Sequence, residues 1–323
     1  RMPIVPGDQV LIMVATGERR PPVCGFCGEA AVDGKRVADA EFAAMLAHRP
    51  ASRYMRAHPT ALVDPMALVV EDAEIGPYCV IGPQADIGAR SRLISHVVVE
   101  GRTRIGADTL VYPFASLGAA PQHLGYRGED TSASIGEGCV IREGVTVNRG
   151  SPQGRGETRV GDRCYLMAGS HVAHDCIVGE GVVFANNATI GGHVVVGDHV
   201  FLGGLCAVHQ NSRIGDFAFI GGCAAVTADV IPYGSAMGNH AALAGLNVIG
   251  MKRRGAARET IHALRALFAE LFEGEGLFAD RLSAARTRFG SIEEAQRIFT
   301  FIDDGGKRAL MGSRRRPWTV GED

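Results

Sequence analysis

Histidine is the residue that could do chemistry most readily in this chain, and its distribution is uneven. Six of the eleven histidines fall between residues 171 and 240, and two of them, His171 and His174, lie three apart beside Asp175. A neutral imidazole is a competent proton acceptor near neutral pH. A carboxylate next to it fixes the tautomer and stabilises the charged ring that results. His193 and His209 follow, the second with Gln210 beside it. Asp175 could equally spend its oxygens on backbone amides of a turn, and local sequence leaves that choice open. Cys24-Gly25-Phe26-Cys27 is the one other metal-like motif, and a structural zinc site would need a second such pair, which is missing from the sequence.

The elements that must position these side chains follow a six-residue rule. Ile75-Gly76, Ile81-Gly82, Ile87-Gly88, Ile105-Gly106, Ile135-Gly136 and Val160-Gly161 begin it, and Val178-Gly179, Ile190-Gly191, Val196-Gly197, Ile214-Gly215 and Ile220-Gly221 continue it. A period of six fits neither helix nor isolated strand and marks a hexapeptide β-helix. Each hexad supplies one short strand and a turn, with the aliphatic residue inward and a small residue relieving the corner. Three hexads make a coil, so residues eighteen apart stack. Val172, Ile190 and Val208 are then inward positions, and His174, His193 and His209 project outward from three consecutive coils, with His171 just before them. The repeat spans 59–237, about eight coils at the roughly 4.8 Å spacing of neighbouring strands. It is interrupted at 119–134 and 148–158, where expelled loops build a surface.

Outside the repeat the patterning changes. Residues 1–50 predict strands at 10–14, 23–31 and 37–46, the last two around Asp33-Gly34, and 51–58 read as a linker. From 257 the 3/4 spacing of Ile261, Leu264, Leu267, Phe268 and Leu271 predicts a helix, and Ser291-Ile292-Glu293-Glu294 predicts a capping box opening another. A C-terminal helical domain over 238–311 and a flexible basic tail over 312–323 complete the expected organisation. Net charge is -2, with 46% hydrophobic and 6% aromatic residues. That balance argues against nucleic-acid binding, and the sequence carries no span for stable membrane insertion. Cys79, Cys139, Cys164, Cys176, Cys206 and Cys223 sit singly in the repeats as small apolar fillers.

Two resemblances add to this reading. Arg1 to Val10, with Gly28 to Lys35, resembles the C-terminal half of β-hydroxyacyl carrier protein dehydratases of the hotdog fold. Those enzymes carry their His and Glu in the preceding half, so the resemblance implies a truncated, catalytically inactive segment, the tail of a larger fusion or a fragment, whose strand edges need a partner. Residues 58 to about 272 resemble the UDP-N-acetylglucosamine O-acyltransferases of lipid A biosynthesis. Ser95-His96-Val97-Val98-Val99, Ile141-Arg142-Glu143, His171-Val172-Ala173-His174-Asp175-Cys176, Ala185-Asn186-Asn187-Ala188-Thr189, Gly192-His193-Val194, Ala207-Val208-His209-Gln210, Gly238-Asn239-His240-Ala241, Gly245-Leu246-Asn247 and Lys252-Arg253-Arg254-Gly255 carry it.

This second resemblance implies a cytoplasmic homotrimer of left-handed β-helices with clefts between subunits, and an (R)-3-hydroxyacyl chain passed from acyl carrier protein to the sugar 3-hydroxyl. It makes His174 the general base, Asp175 its partner, and the Gly192 amide the oxyanion donor. His171, His193, His209, Gln210, Gln122, His123, Asn247, Arg253 and Arg254 would hold substrate, and Gly222 and His240 would line the acyl groove. No metal or cofactor is implied. Lys252, Arg253, Arg254, Arg258 and Arg265 suit an acidic carrier protein. His123, Gly125 and Asn148 depart from the Asp, Lys and His frequent in the family, which implies an altered grip on the UDP-sugar or a 3-amino sugar acceptor. The rivals are the later N-acyltransferase of the same pathway, a zinc-dependent γ-type carbonic anhydrase, and a non-catalytic scaffold.

Overall fold

The computed structural model describes residues 9–20, 23–33, 35–45 and 56–313 and divides the chain into two units, Arg1–Tyr54 and Met55–Asp323. The first is a three-stranded antiparallel sheet of β1 (Val10–Arg20), β2 (Val23–Val32) and β3 (Lys35–Met45) in sequential order. The two strands expected around Asp33-Gly34 form β2 and β3, and β1 runs six residues past the stretch expected. Leu11 to Val14 stand exposed on β1, while Val32 and Val37 are buried.

The second unit is a left-handed parallel β-helix with three walls. The first wall runs from Arg56–Ala57 through Glu74–Ile75 to Phe219–Ile220, and ends in Gly234–Met237 and an antiparallel Ala242–Leu246. The second runs from Leu62–Val63 to Ala225–Val226, and the third from Leu68–Val69 to Arg213–Ile214. Its first strand lies inside the stretch read as linker, because Arg56–Ala57 already pairs with Glu74–Ile75.

From Glu74–Ile75 onward each two-residue strand buries its second residue. Ile75, Ile81, Ile87 and Leu93, and later Val172, Ile190 and Val208, form columns along the three walls. Burial of one such side chain contributes about 1.5–3 kcal/mol. Cys79, Cys139, Cys164, Cys176 and Cys206 fill buried positions as expected, but Cys223 is exposed at a corner.

The glycines play a different part from the one the repeat suggests. The residue in left-handed conformation is the corner one, and it is commonly not glycine: Tyr78, His96, Asp175, His193 and Phe217 all have φ between 52° and 63°. The glycine after the aliphatic residue instead permits close approach of successive coils. A Cβ on Gly106 would stand 2.6 Å from the Gly136 carbonyl carbon.

Four helices follow: α1 (Val248–Arg253), α2 (Arg258–Phe272), α3 (Phe278–Phe289) and α4 (Glu293–Asp303). The spacing found α2 and α4 but neither α1 nor α3. The expected capping box does not form at α4, whose N-cap is Ile292 without a side-chain bond. Residues 312 and 313 are not a loose tail. Leu243 N–H donates to Gly312 O at 2.9 Å, and Ser313 bridges Leu243; 314–323 lie outside the described residues.

Candidate active site

The edge between the second and third walls carries the histidines. His174 ends one strand turn, and Asp175 occupies the left-handed corner beyond it, φ 61°, a conformation that Asp tolerates better than most residues. The Asp175 N–H donates to Thr158 Oγ1 at 2.8 Å, which fastens the corner to the coil below.

The interruption at 148–158 folds over that corner. Asp175 is fully buried, and its carboxylate accepts from Ser151 N–H (3.1 Å), Ser151 Oγ–H (2.6 Å), Arg155 N–H (2.7 Å) and Gly156 N–H (3.1 Å). Its Oδ2 also lies 2.7 Å from His174 Nδ1. Both readings of Asp175 are therefore true, since one carboxylate gathers a loop's amides and holds an imidazole. Burial pushes the Asp175 carboxyl up, but the bonds from Ser151, His174 and Arg155 outweigh it, so the group sits below the usual carboxylate range. A Cβ on Gly154 would run into this carboxylate, so the loop needs glycine there.

With Nδ1 committed to Asp175, His174 Nε2 is left as the basic nitrogen. The ring lies edge-on to His193, centroids 5.1 Å apart, and to His123, 5.6 Å apart. His174 is only 8% exposed, so the sequence's picture of an open face is corrected: His123 and His193 stand against the ring, and the loop at 149–156 closes on its partner Asp175. His123, marked as a departure in sequence, is brought to the centre. Gln122 beside it is exposed.

Eighteen residues from His174 is Gly192, and eighteen from Asp175 is His193, so the outward histidines stand staggered along this edge. The His193 N–H donates to His174 O at 3.0 Å, and His193 Nδ1 lies 3.9 Å from Asp175 Oδ2. Gly192 packs on the imidazole: a Cβ there would stand 2.7 Å from His174 Cε1 and 2.8 Å from Nε2. Among the described residues the Gly192 N–H has no protein acceptor, while its neighbours at 191 and 193 both bond the adjoining coils. His171 Nδ1 lies 2.7 Å from Thr146 Oγ1. Burial, then the nearby His174, hold His171 below its ordinary value, and burial first of all lowers His193. His209 and Gln210 belong to the next coil, where Arg308 binds them both.

The other expected site residues lie elsewhere on the prism. Gly222 is on the edge between the first and second walls, where an added Cβ would meet only Gly204 O, at 3.3 Å. His240 is exposed in the loop whose Ala241 N–H bonds Ala225 O. Asn247, Arg253, Arg254 and Arg265 line a cavity of about 870 Å³ with Phe201 and Phe219. Asn247 is also structural, because its Oδ1 caps α1 through Gly250 N–H (3.0 Å) and its Nδ2 donates to Phe217 O (2.9 Å). Ser151, Arg155, Thr158 and Arg308 were missed in sequence. The break in period at 148–158 signalled the loop but not which of its groups face Asp175, and nothing local signals Arg308.

His174, Asp175 and His193 are spaced so that their ligand atoms lie within 4.8 Å of one another, the geometry that a metal would use. The carboxylate, however, already accepts from four loop donors and an imidazole, which fills its lone pairs.

Comparison with known proteins places the chain in a family. Residues 229–311 match the model described as UDP N-acetylglucosamine O-acyltransferase, domain 2, and residues 157–192 match the bacterial transferase hexapeptide repeat. The acyl-(acyl-carrier-protein)–UDP-N-acetylglucosamine O-acyltransferase of Azorhizobium caulinodans is 55% identical over 257 residues, 80% of this chain and 95% of that protein. The chain belongs to this O-acyltransferase family. The Caulobacter vibrioides member is 52% identical over 79% of the chain and 97% of its own length. The structure of LpxA from Acinetobacter baumannii superposes with a TM-score of 0.77 at 40% identity, covering 79% of this chain and 99% of that one.

Proposed function

We propose that the chain transfers an (R)-3-hydroxyacyl group from acyl carrier protein to the 3-hydroxyl of UDP-N-acetylglucosamine, with His174 as general base. The observation that carries this reading is the 2.7 Å bond from His174 Nδ1 to a buried Asp175. His174 Nε2 takes the proton of the sugar hydroxyl, and the freed oxygen attacks the thioester carbonyl carbon. The Gly192 N–H donates to the oxygen that becomes negative. The tetrahedral adduct collapses, the carbon–sulfur bond breaks, and the imidazolium returns its proton to the departing thiolate. Asp175 stabilises the imidazolium between these steps. The saturated carboxylate supports a mechanism without a metal at this cluster.

His171, His193, His209, Gln210, Gln122 and His123 would hold the sugar around the base, and Asn247, Arg253 and Arg254 the nucleotide or the carrier's phosphopantetheine. Gly222 and His240 would border the acyl chain. These sets occupy different edges of one prism, and side chains on separate edges of a rod cannot converge within a single chain. A homotrimer that places neighbouring rods side by side supplies the missing halves. We place the reaction in the cytoplasm, where a nucleotide sugar and acyl carrier protein are both available. No helix among the described residues is long and apolar enough to cross a membrane. We further propose that residues 1–50 are a dehydratase-like segment.

The test is transfer from (R)-3-hydroxyacyl carrier protein to UDP-N-acetylglucosamine with a chelator present throughout, together with the sedimentation mass of the protein. Acylated nucleotide sugar from a trimer is the expected result. Zinc-dependent carbon dioxide hydration without acyl transfer would overturn the reading.

A further inference from the structure

The segment after α4 returns to the β-helix. Asp229 N–H donates to Ala309 O at 2.9 Å, and Met311 N–H donates to Asp229 O at 2.8 Å, so the chain is fastened on both sides of Leu310. The fastening point is itself rigid. Asp229 is buried, and its carboxylate accepts from Arg213 N–H (2.8 Å) and Arg213 Nε–H (2.7 Å). This strap delivers Arg308 to the histidine edge from 99 residues away. Its Nη2–H lies 2.6 Å from His209 Nδ1, and its Nε–H donates to Gln210 O at 3.1 Å.

A guanidinium has five donors and no acceptor. The same Nδ1 lies 3.1 Å from Gln210 O, but that carbonyl already accepts from Arg308 Nε–H and the guanidinium is the nearer partner at 2.6 Å. Facing a group that can only donate, Nδ1 is the unprotonated nitrogen, and the ring's single proton belongs on Nε2, away from the arginine. The second bond, to the next residue's carbonyl, fixes the guanidinium against the same backbone that carries the imidazole. His209 is otherwise exposed, with no other side chain on its ring nitrogens among the described residues.

We propose that Arg308 is a positioning residue for the acyl transfer, holding His209 as an Nε2–H donor aimed at an acceptor oxygen of the UDP-sugar. The proposal rests on the reading of His209 as a substrate-holding residue. Arg308 never touches the reacting atoms; it sets which nitrogen of His209 donates and in which direction. A histidine free to turn and to exchange tautomers would offer the substrate a lone pair part of the time.

The experiment is a double-mutant cycle in the full chain, with wild type, Arg308→Ala, His209→Ala and the pair, read as kcat and as KM for UDP-N-acetylglucosamine. Arg308→Ala is expected to raise KM by about three- to tenfold with kcat nearly unchanged, the scale of one neutral hydrogen bond. In the His209→Ala background the same change is expected to cost less than about twofold, because its target is gone. The full loss recurring in that background would overturn the proposal and leave Arg308 as a mere fastener of the strap. No loss in the wild-type background would overturn it as well. Arg308→Gln, run through the same cycle, keeps the test open should the alanine variant not fold. Absence of transfer by the wild type would instead overturn the functional reading on its own.

Discussion

Two edges of the same β-helix carry a histidine within a stack of rings, and they differ in everything except the stacking. On the edge between the first and second walls, His96 sits at a left-handed corner between Tyr78 and Phe114, ring centroids 5.0 and 5.1 Å away. No carboxylate bonds its nitrogens among the described residues, and no loop covers it. On the edge between the second and third walls, His174 shares Asp175 with four donors of a folded-over loop and is nearly sealed from solvent. The repeat makes histidine ladders readily, since any corner position stacks on the one eighteen residues later. What turns a ladder into a catalytic candidate is a buried acceptor on one ring nitrogen and a cover that excludes water.

That contrast can be broken at several points. The largest effect is expected from His174→Ala, which should cost at least about 10²–10⁴ in kcat, the share of a general base. His96→Ala should stay within about twofold of wild type in the same assay, and parity of the two variants would dissolve the distinction.

Asp175→Asn comes next. It removes the charge that favours the imidazolium and offers the loop a weaker acceptor, so kcat should fall by about 10²-fold or more. Stability should fall by about 1–3 kcal/mol at neutral pH, read from denaturant melts. The sign follows from a folded-state value below the unfolded 3.8: the stabilisation is present above that pH and lost as pH falls through it. The gap between wild type and variant should therefore narrow in acid.

Gly192→Ala sharpens the picture of the packing. Its Cβ would stand 2.7–2.8 Å from the His174 ring, so the ring must move off its bond to Asp175. A loss of kcat of about tenfold or more is expected, since misplacements of about 1 Å cost up to 10². Unaltered kcat would place the ring elsewhere.

The smallest effect concerns His171 and His193, both held below their ordinary 6.5. As pH falls below about 6.5 the unfolded chain takes up these protons before the folded one, so stability is whole above that point and declines beneath it. His171→Gln with His193→Gln should flatten the melting temperature between about pH 7.5 and 5.5 relative to wild type.

Much of the architecture was legible because hexads convert sequence distance into height. The walls, the inward columns and the two expelled loops all follow from counting in sixes and eighteens, whereas Gly192 beside the base came only from the family resemblance. The partnership of Asp175 with both an amide cluster and an imidazole was not legible, because it depends on how residues 149–156 fold back. Asn247 looked like a ligand and proves to be a helix cap as well, a role that any Asn before a helix can fill. Helices α1 and α3 escaped because they are short or weakly patterned, with Met251 the one buried residue of α1 and Ala285 and Phe289 those of α3. Arg308 escaped because no local rule connects residues 99 apart across a strap.

The most direct test of the central claim is kcat for acyl transfer by a His174→Ala protein that melts as wild type does, with chelator present. A general base at His174 predicts at most about 1% of wild-type turnover, the lower bound of such a group's share. Turnover near that of wild type would contradict it.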